Sequence, residues 1–495
     1  MFYIGFDLGS SSVKAALIDS STGKTIGVSQ YPDQEMKIIA KQNGWAEQDP
    51  ELWWDNCCKV TQKLLTQTGI SSQSIKGIGI AYQMHGMVIV DGDQKVLRPS
   101  IIWCDSRAVS IGNDAFRDLG EDKCISHLLN SPGNFTLSKL KWVKENEPEI
   151  FDKVDKLLLP GDYIAMKLTG ETTTTISGLS EGIMWDFKQN QLADWLFDHM
   201  GITPDVIPTI VPTFSNQGKV TKKASKEIGL PDGIPVLYRA GDQPNNALSL
   251  NAFEPGEIAA TGGTSGVVYA ISDRMQTKES LRINNFAHVN YTKERPLIGK
   301  LLNINGAGIL YSWMQQNIAS KDATYQDMNL LAAMVPVGSE GLHILPFGNG
   351  AERMLNNQSK GARMSNLNFN IHQKEHLFRA ALEGIAFSFV YGIDILKNDG
   401  VDLSAIKAGN DNLFRSEIFS YTVATLVGAD INIIDTTGAV GAARAAGVSS
   451  GSFKTLEEAF STSEHIKTYH PLKGKKSYEE FYEVWKQDLE NQYHT

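Results

Sequence analysis

Ile4-Gly5-Phe6-Asp7-Leu8-Gly9-Ser10-Ser11-Ser12-Val13-Lys14 reads as a strand, a turn of glycine and hydroxyl residues, and a second strand. Past the midpoint, Glu257-Ile258-Ala259-Ala260-Thr261-Gly262-Gly263-Thr264-Ser265-Gly266-Val267-Val268-Tyr269-Ala270 repeats the plan. Both turns offer backbone N–H groups and hydroxyls with little side-chain bulk, as binding a polyphosphate between two hairpins requires. Asp7 stands beside the first turn, and Asp242, in Ala240-Gly241-Asp242-Gln243-Pro244, precedes the second. Two such turns with two separated acids point to a two-lobed enzyme that uses ATP.

Around the first turn the pattern continues as a β-meander through residues 13–19 and 25–28, with a turn at 20–23. Asp49-Pro50-Glu51 supplies an N-cap, a first-turn proline and a first-turn acid, and Leu52, Trp53, Val60, Leu64 and Leu65 fit one face of the helix that follows. Residues 75–80 read as the next strand, running into Gln83-Met84-His85-Gly86, and Asp91-Gly92-Asp93 as a hairpin turn. Strands joined by a helical crossover predict a mixed α/β sheet. Pro231-Asp232-Gly233 and the apolar run after it mark the start of a second lobe, with the boundary near 240. The aromatic and charged tail over 478–493 predicts a closing amphipathic helix.

The chain has 495 residues, 42% hydrophobic, enough for two to four domains. Lys+Arg 46 against Asp+Glu 56 leaves a net charge of −10, which argues against nucleic acid or an anionic membrane as partner. The basic run Lys473-Gly474-Lys475-Lys476 is flanked by acids and reads as solvated surface. No apolar stretch approaches the ~20 residues that span a bilayer, and the opening residues lack the pattern of a secretory signal. Cys57, Cys58, Cys104 and Cys124 show no paired framework, so reduced thiols and a cytoplasmic location are expected.

A P-loop is excluded, since no Gly-x-x-x-x-Gly-Lys-Ser/Thr run exists, and Gly438-Ala439-Val440-Gly441 has the wrong spacing for a dinucleotide fingerprint. The ten histidines are scattered, without zinc-ligand spacing. Asp7 at a strand end can hold Mg²⁺, and Asp242 can either cap a helix or accept the proton of an attacking hydroxyl. Gln83, Met84 and His85 offer the mixture of hydrogen-bonding groups and apolar surface that a polyol needs, although His85 also suits a satisfied core histidine. Trp103-Cys104-Asp105-Ser106-Arg107 carries either sugar contacts or a plain surface ion pair. Ala408-Gly409-Asn410-Asp411 and Thr436-Thr437-Gly438-Ala439 are small-residue turns, which suit either close approach to a flat adenine or ordinary loops.

Taken together, these blocks resemble the FGGY carbohydrate kinases, of the actin-like (ribonuclease H-like) ATPase fold. The blocks include Trp45-Ala46-Glu47-Gln48-Asp49-Pro50, Gln83-Met84-His85-Gly86, residues 135–143, Leu158-Leu159-Pro160-Gly161-Asp162-Tyr163, Gly263-Thr264-Ser265-Gly266 and Ala381-Leu382-Glu383-Gly384. The resemblance implies two α/β lobes around a central cleft, a sugar-binding lobe at 1–239 and a nucleotide-binding lobe at 240–495. It implies phosphorylation of a sugar hydroxyl by ATP with Mg²⁺. Asp242 would be the base, with Asp7 and Asp242 at the metal. Gly9, Ser10, Ser11, Ser12, Lys14, Gly263, Thr264, Ser265, Gly306, Gly409 and Asn410 would hold the nucleotide. Gln83, Met84, His85, Trp103, Asp105 and Gln243 would hold the sugar. Within the family the Gln83–Gly86 block is most similar to xylulokinases, so D-xylulose is the expected substrate and a homodimer a common assembly. Gluconate and ribulose kinases, and a non-catalytic actin-like sugar sensor, are the alternatives. The chain departs from the family pattern at Gln243-Pro244, at Ala408–Asp411, and by one extra residue over 348–353.

Overall fold

The computed structural model describes residues 1–411 and 413–494, the last two of these as backbone. Strands β1 (Phe2–Leu8) and β2 (Val13–Asp19) pair antiparallel from Phe2↔Asp19 to Leu8↔Val13, so Gly9–Ser12 forms the turn between them. Their side chains are mostly buried on both faces, because helices cover both sides of the sheet. This explains why the stretch reads as a nearly continuous apolar run rather than an alternation. β3 (Thr25–Tyr31) pairs antiparallel with β2, β4 (Ile75–Tyr82) runs parallel to β1, and β5 (Val236–Gly241) runs parallel to β4. The five-stranded order is therefore β5-β4-β1-β2-β3.

The second sheet contains β6 (Glu257–Gly262), β7 (Gly266–Ser272), β8 (Asn284–Ala287), β9 (Ile298–Ile304), β10 (Ala405–Gly409), β11 (Ile431–Asp435) and β12 (Glu464–Tyr469), in the order β8-β9-β7-β6-β10-β11-β12. Here β6, β7 and β9 form the antiparallel meander, and β10 and β11 extend it in parallel on the β6 side. Five strands of each sheet thus share one topology, the duplicated α/β plan expected from the twin turns. The Pro50–Thr68 helix starts as expected, with Asp49 accepting from the Glu51 amide at 3.0 Å, and ends at Gly69 with φ 66°. The closing helix spans Lys475–His494.

Two differences from the sequence reading concern the junction. β5 does not open the second lobe. It is buried on both faces and its ladder partner is β4, so the first sheet continues through Gly241 and the chain crosses between sheets after the Asp242–Ser249 helix. The expected boundary near 240 lies inside this strand. The Gly438–Ser449 helix, which leaves the second sheet after β11, packs instead on the first sheet, against β1, β4 and β2. Its glycines and alanines allow backbone-to-backbone contact. A Cβ on Gly5 would collide with the backbone of Ala439 and Ala443, one on Gly79 with Ala442, and one on Gly441 with Ser249. Thr436-Thr437-Gly438-Ala439 is the capped start of this helix, where the Thr437 hydroxyl accepts from Val440 N at 3.3 Å.

This contact predicts unequal costs for two glycine substitutions. Gly79→Val has no room and should lower stability by about 3 kcal/mol or more. Gly69→Ala, with nothing within 4 Å, should lose only the left-handed backbone preference, about 1 kcal/mol. Urea midpoints compare the two, and equal losses would contradict the close approach.

Candidate active site

The parallel pairing of β1, β4 and β5 sets the site. Asp7 and Ala240 both lie level with Ala81 on β4, so Asp7, Gln83 and Asp242 emerge at the same edge of the sheet. Carboxyl ends of parallel strands are where ligands collect in α/β sheets. Asp242 begins the Asp242–Ser249 helix. Burial and then the nearby Asp7 push its pKa up to about 7, while the helix amides of Asp242 and Gln243 and the Gln243 side chain favour the charged form. Asp7 is also pushed up by burial, opposed by Lys14, its cross-strand partner. Asp7 Oδ2 lies 2.6 Å from where a Cβ of Gly438 would stand, so the carboxylate rests against the start of the Gly438–Ser449 helix. Among the described residues no group of three or more His, Cys, Asp or Glu side chains could cage a metal. Two acids that both hold their protons too tightly, beside phosphate-type turns, fit Mg²⁺, which keeps waters and substrate phosphates among its ligands.

The first turn is braced from behind. Gly9 N donates to Ser12 O at 3.0 Å, Gln48 Nε2 to Ser10 O at 2.7 Å and Met36 N to Ser11 O at 2.8 Å. The second turn is held by Asp411, which accepts from Gly262 N at 2.8 Å, and by Ile309 N donating to Thr264 O at 2.9 Å. Next to it a cavity of ≈ 100 Å³ is lined by Gly263, Thr264, Gly308, Tyr311, Tyr325, Asn329 and Leu413, among others. The Tyr311 and Tyr325 rings stack at 5.7 Å and 18°, and the Tyr311 hydroxyl donates to Asn329 at 2.9 Å. Sequence reading missed these two tyrosines, which lie on the Gly308–Asn317 and Tyr325–Ala333 helices and carry no local signal of a slot. Gly409 ends β10 beside Asp411, and Asn410 Oδ1 accepts from Arg415 Nε at 3.1 Å. Gly306 stands behind the turn: its N–H donates to Glu352 at 2.5 Å, and a Cβ there would strike the Pro346 carbonyl. That N–H is not free for a phosphate.

On the other side of Asp242 lie Met84 and His85, directly after β4. His85 adopts φ 62°, and its ring meets Phe135 at 4.9 Å and Phe286 at 5.3 Å. Phe286 sits fully buried on β8 of the second sheet, so this ring contact joins the two lobes. Burial, Lys139 and Arg353 lower the His85 pKa to about 3, keeping the ring neutral. Its Nδ1 lies 2.9 Å from the Glu181 carbonyl, which can only accept, so Nδ1 carries the proton and Nε2 is left as an acceptor. Lys139, itself lowered to about 7 by burial, donates to the His85 and Ile102 carbonyls at 2.8 and 3.0 Å. Glu181 was not singled out from sequence. Its carboxyl abuts Gly241, and burial pushes its pKa well above the usual carboxylate range, with Asp242 adding to this.

The remaining expected contacts divide. Trp103 is 53% exposed, and its Nε1 lies 3.4 Å from Ser10 Oγ, so its ring stands over the first turn. Gln83 is buried and points at Gln48, 3.4 Å away, behind the first turn. Asp105 does not face the cleft. It is fully buried, accepts from Ala46 N at 2.6 Å and from Arg107 N at 2.9 Å, and meets the Arg107 guanidinium at 2.7 Å. Arg107 in turn stacks between Trp45 and Trp142. The pair is thus a buried brace rather than a surface ion pair. A cavity of ≈ 950 Å³ lies elsewhere on the first lobe, between residues 93–99 and the Pro160–Thr169 helix, and is lined by none of the expected site residues.

A model of the FGGY family of carbohydrate kinases, N-terminal domain, matches residues 2–249, and that of the C-terminal domain matches residues 258–450. The chain belongs to the FGGY family of carbohydrate kinases. It is similar to the xylulose kinase of Escherichia coli, with 29% identity over 92% of each chain. The crystal structure of the xylulose kinase from Rhodospirillum rubrum superposes with a TM-score of 0.90 at 25% identity, covering 100% of both chains. The gluconate kinase from Lactobacillus acidophilus superposes at 0.88 with 24% identity over 99% of this chain and 98% of its own, so the fold alone does not separate substrates. As an FGGY kinase the protein transfers a phosphoryl group to a sugar, and members of the family use ATP. Among the described residues no helix is long and apolar enough to cross a membrane.

The raised pKa of Asp242 predicts a pH-dependent gain from removing its charge. A carboxyl held at about 7 in the folded chain and near 4 in the unfolded one costs stability as pH rises between those values, up to about 4 kcal/mol. Asp242→Asn should therefore melt at a higher temperature than the parent at pH 8, with the advantage shrinking towards pH 4.5. A pH-independent difference in Tm would contradict the assigned environment.

Proposed function

We propose that the protein phosphorylates D-xylulose at its terminal hydroxyl to give D-xylulose 5-phosphate, with ATP as donor. The observation that carries this reading is the alignment of Asp242 beside Asp7 at one sheet edge, with Met84 against Gly241 and the neutral His85 ring following on the same strand end. The E. coli and R. rubrum xylulose kinases support the choice of sugar. In this reading the first lobe binds the pentulose and the second the nucleotide, with the base in the Tyr311/Tyr325 slot and the phosphates between the turns at Gly9–Ser12 and Gly263–Ser265.

Asp242 takes the proton of the attacking hydroxyl. A base with a pKa near the working pH accepts that proton without being too weak to pull it. Gln243, bound to the Asp242 carboxylate, fixes its orientation, and His85 Nε2 accepts from a sugar hydroxyl. Met84 lies against the carbon chain, and the phenylalanine rings hold His85 from behind. Asp7 and Asp242 would hold Mg²⁺, which neutralises charge on the transferred phosphate. Asp105, Gln83 and Gly306 act from behind the site. Closure of the lobes about the Phe286–His85 contact excludes water that would otherwise compete as acceptor.

Coupled ADP-release assays over xylulose, ribulose, gluconate, glycerol and fucose test the substrate. The highest kcat/KM is expected on xylulose, rising with pH to a plateau above about 7 as Asp242 loses its proton. A better turnover of any other sugar removes the substrate assignment. Asp242→Asn should lower kcat by about 10³-fold while ATP binding, read by calorimetry, persists.

A further inference from the structure

β8 is an end strand of the second sheet, and an end strand leaves a row of N–H and C=O groups without a ladder partner. Here the first lobe fills that row with side chains. The Asn130 amide accepts from Asn285 N at 2.9 Å and donates to Asn285 O at 2.5 Å, the two bonds that a neighbouring peptide group would make. Two residues on, Ala287 N donates to Ser180 Oγ at 2.9 Å and Ala287 O accepts from Ser177 Oγ at 3.1 Å. Ser180 Oγ donates in turn to Ser177 O at 2.7 Å, which leaves its lone pairs to Ala287. Asn285 Nδ2 also donates to Leu129 O at 2.9 Å. All these residues are buried, so no water stands ready to replace a lost partner.

Both halves of this seam reach the His85 ring. Phe286, between the two tied residues of β8, meets the ring at 5.3 Å. Glu181, the residue after Ser180, ends the short Ile176–Glu181 helix, and its carbonyl accepts from His85 Nδ1 at 2.9 Å. One contact on the ring thus comes from each side of the seam, and each lies one residue from a bond that closes it. The Glu181 bond sets the tautomer, while Phe286 and Phe135 set the tilt, at 46° and 78° to the imidazole plane. His85 has φ 62°, an uncommon backbone for a residue other than glycine, so its ring is directed by what surrounds it.

We propose that Asn130 and Ser180 are positioning residues of the sugar site: by closing the free edge of β8 they hold Phe286 and the Glu181 carbonyl against the His85 ring, and so fix the direction in which Nε2 meets a sugar hydroxyl. The inference rests on the proposed function, in which that nitrogen accepts from the sugar, and adds that the sugar site of the first lobe is complete only with the second sheet docked on it. Neither residue touches the substrate. Their effect passes through His85, so it should disappear when the ring is absent.

A double-mutant cycle in the full-length protein tests it. Ser180→Ala and Asn130→Ala, each shown folded by its Tm, should raise the KM for D-xylulose about five- to tenfold, with kcat nearly unchanged and the KM for ATP unmoved. Ser180→Thr, which keeps the hydroxyl, should recover part of the loss. His85→Asn removes the ring while tolerating the left-handed backbone, and should raise the same KM by itself. In that background Ser180→Ala and Asn130→Ala should add nothing further. A folded Ser180→Ala or Asn130→Ala protein with the parental KM overturns the proposal, and so do losses that add in full to that of His85→Asn, since a merely structural weakening would add. Ser177→Ala removes only the donor to Ala287 O and decides where the other two do not fold: a rise of about threefold that vanishes in His85→Asn supports the proposal, and a parental KM overturns it. Failure of the underlying reading looks different. If His85→Asn alone keeps the parental KM, the sugar-site reading falls and this inference with it. If the wild type prefers another sugar, the same cycle is run on that sugar.

Discussion

The backbone contact between the Gly438–Ser449 helix and the first sheet is the constraint on which the site depends. Glycine and alanine on the helix face glycine on β1 and β4, so the two backbones approach without intervening side chains. The Asp242–Ser249 helix packs beside it, Gly441 meeting Ser249. Each helix leaves one sheet and reaches the other lobe, and the two starts lie at the two acids: Asp242 at the head of one, Asp7 against the head of the other. Helix N-termini favour negative charge. A phosphate chain and its metal can thus be gripped at the junction itself, and a small shift of one helix on the other would move both acids relative to the turns.

Much of this was legible in the sequence because it depends on local chemistry. The hairpin turns at Gly9–Ser12 and Gly263–Ser265, the capped helix after Asp49, and Asp242 after an apolar strand are all encoded within a few residues. What escaped was encoded by pairing between distant segments. β5 reads as a buried strand, but only its ladder with β4 assigns it to the first sheet. The small-residue run at 438–447 suits a ligand turn as well as a close helix crossing, and only the position of Gly5 and Gly79 decides between them.

Single site residues divide in the same way. Asp105 sits in a promising block beside Trp103, yet its carboxylate is consumed by Ala46 and by an arginine stacked between two tryptophans. Nothing in the local sequence reveals that Trp45 and Trp142 come together there. Tyr311, Tyr325, Glu181 and Phe286 were invisible for the converse reason: each is an ordinary member of a helix or strand until the fold turns it towards the cleft.

The cleft is electrically graded from end to end. Burial raises the proton affinity of Asp7, Asp242 and Glu181 in one region, with Asp7 adding to that of Asp242 and Asp242 to that of Glu181, while burial and then Lys139 depress that of His85 in the other. Lys14 opposes the burial of Asp7, and a bound cation would act on both acids in the same direction. In a shielded site such imbalances are worth far more than in water. On the proposed function they favour a substrate that presents a donor hydroxyl to the acids. With its Nδ1 proton spent on the Glu181 carbonyl, the neutral His85 ring can only accept at Nε2, so it too selects a hydroxyl rather than an anion at that point.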